Sequence, residues 1–122
     1  MKAKQVSRPL LLFDLDGTLT PSRRPMIPEM KGCLIKMKEK FDLAIVGGSD
    51  RVKQLEQLGE DNISLFRYIF SENGTYTFQG KDEFHKNSIS DFMGKEKLKE
   101  FEEFTMNVLD NTNGMDLIKN YI

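Results

Sequence analysis

The sequence has little of what marks several large classes of protein. It holds one cysteine, Cys33, so no disulfide can close within the chain and a reducing compartment is expected. That thiol falls in a helical pattern after Pro28 and is expected to be buried and inert. There is no tryptophan, and the one histidine, His85, has no neighbour suited to acid–base work and reads as a surface residue. No apolar run approaches the ~20 residues that cross a bilayer. The run at residues 10–13 is too short for the core of a signal peptide. Eighteen basic residues against nineteen acidic ones leave a net charge of −1, which excludes a strong field drawing the chain to nucleic acid or to an anionic membrane. There is no internal repeat and no low-complexity segment. What remains is 122 residues, enough for one globular domain with a modest core, and the cytoplasm is the default location.

Against that background one stretch carries chemistry: Leu10-Leu11-Leu12-Phe13-Asp14-Leu15-Asp16-Gly17-Thr18-Leu19-Thr20. An apolar run ending in two spaced acids and Asp-Gly reads as a buried strand followed by a tight turn. Residues i and i+2 of a strand point the same way, so Asp14 and Asp16 face one small volume if strand geometry carries through. Two carboxylates there suit a hard divalent cation such as Mg²⁺. A phosphate can then be held by the ion and by backbone N–H groups of the turn. One aspartate can attack phosphorus while the other moves a proton. An Asp-Gly pair alone would be read as a turn former. The second acid, the preceding strand and Gly-Thr move the reading to function, and DxDGT is the opening motif of the haloacid dehalogenase superfamily.

Two more strand ends carry polar residues. Strands are expected at 10–13, 41–46 and 66–70, with helices beginning at Pro28 and after Asp50. The first helix has Pro28 in its first turn and Met30, Cys33, Leu34 and Met37 at helical spacing. The second has Val52, Leu55 and Leu58 on its inner face and Gly59 as its stop. A hairpin over 75–78 and 83–86 around Gly80 follows, then an amphipathic helix over 95–109 marked by Leu98, Phe101, Phe104 and Val108. Strand–helix–strand–helix–strand implies a parallel sheet, and open α/β sheets bind ligands beyond the carboxyl ends of their strands. Asp14 and Asp16, Ser49 and Asp50, and Glu72 and Asn73 all stand there. In Gly47-Gly48-Ser49-Asp50, Ser49 is the expected N-cap. The same glycines and hydroxyl also suit a phosphate at a helix N-terminus. Arg23 and Arg24, in the proline-rich loop after the acid pair, can bind phosphate through a guanidinium.

FDLDGTLTPSR, then AIVGGSD, then YIFSENGTYTF, at these separations, resemble the eukaryotic phosphomannomutases over about residues 10–101. The resemblance implies an α/β, haloacid dehalogenase-like parallel sheet core with flanking helices. It implies Mg²⁺-dependent interconversion of mannose 6-phosphate and mannose 1-phosphate, for GDP-mannose synthesis in the cytosol. A hexose bisphosphate would be the intermediate and activator. By motif position Asp14 corresponds to the nucleophile and Asp16 to the general acid/base. Both would serve the metal, Asp16 through its backbone carbonyl. Arg23 falls where the family binds substrate, and Gly48 and Ser49 join it there. Residues 1–9 are then a flexible start, 10–91 the core, and 92–122 a helix and divergent tail where a cap domain would begin. Family members run to about twice this length, so the resemblance implies a truncated core without its cap. Without the cap the expectations are a three-strand remnant with an exposed edge, no family-like homodimer and little mutase activity. A minimal phosphatase and a non-catalytic fragment binding a partner through the last helix are the other readings.

Overall fold

A computed structural model describes residues 8–112. The expected frayed start lies outside the described residues up to residue 7, as does the tail from residue 113 onward. The chain divides into two compact units, Met1–Lys86 and Asn87–Ile122.

The first unit is built on five strands: β1 (Leu10–Asp14), β2 (Asp42–Val46), β3 (Tyr68–Ser71), β4 (Tyr76–Gln79) and β5 (Asp82–Lys86). They lie side by side in sequence order. β1, β2 and β3 are parallel, and β4 and β5 add antiparallel to them. The three-strand expectation is therefore corrected to five, because the hairpin folds back onto β3 instead of standing apart. Register explains which residues meet. Phe13, Ile45, Ile69 and Phe78 stand opposite one another across four strands and share one face. That face is covered by Leu34 from helix α1 (Pro28–Lys38), Leu58 from α2 (Arg51–Leu58), and Ile63 and Phe66, which together form the core. The other face carries Leu10, Leu12 and Asp14 on β1, with Leu12 54% exposed.

Local signals fix the helices. Pro28 opens α1, Glu29 sits in its first turn and Lys36 and Lys38 in its last, matching the helix dipole at both ends. Only Leu34 of α1 is buried, and Cys33, one position and about 100° around the helix, is exposed. This corrects the expectation of a buried thiol. In α2 the expected Leu58 is buried and Leu55 packs partly against the core, but Val52 does not join them. Val52 is 65% exposed, and Gln54, Gln57 and Leu58 are the buried residues. Gly59 ends α2 at φ +82°, its N–H bonded to the Leu55 carbonyl, and an unforeseen 3₁₀ turn (Glu60–Leu65) carries Ile63 into the core.

The second unit contains α3 (Ile89–Met93), which the sequence pattern did not reveal, and α4 (Lys95–Asp110). Ser88 caps α3 by accepting from the Ser90 N–H. No residue of α4 is buried, and Phe101 and Phe104 are exposed.

Candidate functional site

The strand of β1 stops at Asp14, and the next six residues form a knot of hydrogen bonds around Leu15. The Leu15 carbonyl accepts from the N–H groups of Thr18, Leu19 and Thr20 and from the Thr20 hydroxyl. Gly17 takes φ +75°, which a side chain disfavours, and its N–H bonds the Thr20 carbonyl at 2.7 Å. Leu15 and Leu19 are buried in the core. Apolar anchors thus fix the loop from below while Asp14, Asp16 and Thr18 stay exposed above.

Strand geometry does not carry through to Asp16, and the two acids have separate partners. The Thr18 hydroxyl donates to Asp14 Oδ2 over a long 3.4 Å. Asp16 Oδ1 accepts twice, from the Arg23 backbone N–H at 3.0 Å and from Gln57 Nε2 at 2.5 Å. The Gln57 amide first, and then the Arg23 N–H, hold the Asp16 carboxyl below the usual carboxylate range. Arg23 reaches this position at φ +55°, a sparsely populated conformation for a residue with a side chain. Such a conformation costs about 1–3 kcal/mol and persists only where the surroundings over-determine it. The charge-assisted bond to Asp16 is one such constraint.

The second loop follows β2. Asp50, not Ser49, caps α2: its side chain accepts from the Lys53 N–H at 2.9 Å. The expected cap is displaced by one residue because a carboxylate and a hydroxyl compete for one helix start and the carboxylate sits in register. The Ser49 side chain makes no hydrogen bond among the described residues, which leaves its hydroxyl free. The loop after β3 holds this one from the side. Glu72 N–H bonds the Ser49 carbonyl and Asn73 N–H bonds the Gly47 carbonyl, both at 3.0 Å. Glu72 and Asn73 adopt positive φ to do so. A Cβ on Gly48 would meet only the Asn73 side chain at ordinary contact distance, whereas one on Gly47 would stand 3.0 Å from Gln54 Nε2.

A cavity of about 560 Å³ is lined by Asp16, Arg23, Ser49, Lys53, Glu56 and Gln57. Three of the residues singled out in the sequence therefore meet there. Asp14 and Gly48 are not part of its lining. Asp14 stands level with Val46 across the β1–β2 ladder, and Gly48 lies beside Asn73. Arg24 is exposed and does not line the cavity. His85 is exposed on β5. Sequence reasoning missed Lys53, Glu56 and Gln57, all on α2. The available signal was polar: glutamines at 54 and 57 stand beside the inward Leu55 and Leu58, on a face that the apolar but exposed Val52 disguised.

The donor set fits a hard cation. Among the described residues no three His, Cys, Asp or Glu side chains cluster as a metal site. However, Mg²⁺ commonly takes one or two carboxylates and keeps several waters. The exposed Asp14 offers one carboxylate, and the Asp16 backbone carbonyl, which accepts no hydrogen bond among the described residues, offers a second oxygen. Among those residues no helix is long and apolar enough to cross a membrane.

The family model described as eukaryotic phosphomannomutase matches residues 30–117. A probable phosphomannomutase of Caenorhabditis elegans is 42% identical over 115 residues, covering 91% of this chain and 45% of that protein. Phosphomannomutase 1 of Mus musculus is 38% identical over 109 residues, covering 88% and 42%. The chain thus spans a little under half the length of the curated relatives it matches. Among solved structures, a haloacid dehalogenase superfamily subclass IIB sugar phosphatase superposes with a TM-score of 0.51 at 26% identity, over 66% of this chain and 32% of that one.

Proposed function

Because this chain belongs to the eukaryotic phosphomannomutase family, we propose that it carries the phosphoryl-transfer half of a Mg²⁺-dependent interconversion of mannose 6-phosphate and mannose 1-phosphate, supplying GDP-mannose synthesis in the cytoplasm. The observation that supports this most is the cavity where Asp16, Arg23 and Ser49 meet, two residues from Asp14.

In this reading Asp14 is the nucleophile. A carboxylate oxygen of Asp14 attacks phosphorus, the ester P–O bond breaks, and its electron pair goes to the sugar oxygen, which takes a proton from Asp16. Phospho-Asp14 donates its phosphoryl group to the free hydroxyl of a hexose monophosphate while Asp16 accepts that hydroxyl's proton, and the bisphosphate so formed turns over and returns its other phosphate to Asp14. A hexose bisphosphate links the two half-reactions and primes Asp14. The Arg23 guanidinium binds a substrate phosphate, and the Ser49 hydroxyl donates to a phosphate oxygen. Asp14 and the Asp16 carbonyl would hold Mg²⁺, which would supply charge neutralisation for the transferring group. The buried Leu15 and Leu19 keep the acid loop from rearranging between half-reactions.

A second reading is hydrolysis, with water accepting the phosphoryl group from Asp14. It is favoured by the exposure of Asp14 and Asp16 and by the likeness to a sugar phosphatase. Turnover assays with and without a hexose bisphosphate separate the two. Activation with conservation of total sugar phosphate is expected for the mutase, and steady release of inorganic phosphate for the phosphatase. In either case Asp14→Asn is expected to abolish the phosphoenzyme, and its persistence in that variant would falsify the assignment of Asp14.

A further inference from the structure

We propose that Gln57 is a positioning residue that fixes which oxygen of Asp16 carries the proton, an inference that rests on the reading of Asp16 as general acid/base. Gln57 is on the last turn of α2, is 9% exposed, and takes part in two contacts with the loop that follows β1. Its Nε2 donates to Asp16 Oδ1 at 2.5 Å, and its backbone carbonyl accepts from the Met26 N–H at 2.8 Å. Between those contacts lies Arg23, whose own N–H donates to the same Asp16 oxygen at 3.0 Å. Two donors therefore converge on Oδ1. Oδ2 accepts no hydrogen bond among the described residues.

The consequence is chemical. An oxygen facing two N–H donors cannot also hold a proton without setting hydrogen against hydrogen, so a protonated Asp16 carries its proton on Oδ2. The plane of the carboxyl group is set by the pair of donors, and with it the direction in which Oδ2 points. A side chain fixed from one oxygen delivers its proton along one line, and misplacement by about 1 Å is enough to slow a proton-coupled step on the order of 10²-fold. The partial burial of Gln57 matters here, because its packed stem restricts the amide to few rotamers. The Arg23 N–H cannot replace it, since that backbone is itself held in a strained turn.

The test exploits leaving groups. A sugar alkoxide needs the proton of Asp16 as it departs, whereas p-nitrophenolate leaves without one. In the full chain, Gln57→Leu is expected to lower kcat/KM for a hexose 6-phosphate on the order of 10²-fold, while kcat/KM for p-nitrophenyl phosphate changes by no more than a few-fold. Asp16→Asn should show the same contrast, and adding Gln57→Leu to it should change nothing further. Equal losses of Gln57→Leu on both substrates, or no loss on either, with Asp16→Asn still showing the contrast, would overturn the role of Gln57 and leave that of Asp16 intact. If Asp16→Asn shows no contrast, the acid/base reading itself fails and the proposal with it. A second measurement needs neither turnover nor a folded Gln57 variant. The side-chain amide resonances of Gln57 in the ¹⁵N-labelled chain are expected to shift in Asp16→Asn, and unmoved resonances would overturn the contact.

Discussion

Ser49 and Asp50 show how adjacent residues divide two tasks. Asp50 holds the helix start through the Lys53 N–H, and the Ser49 hydroxyl is left without a partner among the described residues. Asp50→Ala is therefore expected to lower stability by about 1 kcal/mol, the usual value of an N-cap, with little effect on phosphate affinity. Ser49→Ala is expected to do the reverse, weakening inorganic phosphate binding while leaving stability within about 0.5 kcal/mol. Urea unfolding and calorimetric titration with phosphate, run on both variants, check the pair. Equal behaviour of the two would sink the division. The same separation explains why the sequence could name Ser49 as a site residue and still misplace the cap: both residues are good caps, and only the register of the first helical turn chooses between them.

At the scale of elements, α2 is the piece that joins the loops. Gln54 is fully buried, its Nε2 donating to the Phe70 carbonyl at 3.2 Å and its Oε1 accepting from the Ser71 hydroxyl at 2.7 Å. It ties α2 to the end of β3 and stands where a Cβ on Gly47 would press. Arg51 makes a further link, its Cζ lying 3.5 Å from the centre of the Phe78 ring on β4. Desolvation at that place pushes the Arg51 guanidinium below its ordinary pKa. Gln54→Leu keeps most of the volume but leaves the buried Ser71 hydroxyl unpaired, so a loss of about 1–3 kcal/mol is expected in urea unfolding. A change under 0.5 kcal/mol would show that the Gln54 bonds contribute nothing. The stop of α2 at Gly59 and the inward side of Leu55 and Leu58 were legible, but the burial of Gln54 and Gln57 was not. Glutamines facing inward leave no apolar mark of their own, and Val52 points away from the core.

For the whole molecule, the sheet is protected unevenly. β2 is paired on both sides and carries Leu43, Ala44 and Ile45, none more than 1% exposed, whereas every residue of the edge strand β5 is exposed. Local opening is easiest where few buried contacts oppose it. Amide hydrogen exchange is thus expected to be slowest at Leu43–Ile45 and Ile69 and fastest among the strands in β5. Uniform protection across all five strands would contradict this gradient. The acid loop of the site continues from β1, the other edge strand, and its own hold on the core is through Leu15 and Leu19.

By itself the sequence determined the strand that ends in Asp14, the turn that needs Gly17, the helix that begins at Pro28, the stop at Gly59 and the hairpin around Gly80. Each depends on a local rule: apolar runs, backbone freedom of glycine, the fixed φ of proline. It also brought three strand ends to one edge, because parallel pairing with helical crossovers leaves little other choice. Tertiary structure alone decided that Cys33 faces solvent, that Asp50 caps α2, and that Gln57 rather than a neighbour of Asp14 holds Asp16. Those outcomes depend on the rotation of each helix about its axis and on contacts between residues up to 41 positions apart, and such distances leave no periodic trace in the chain.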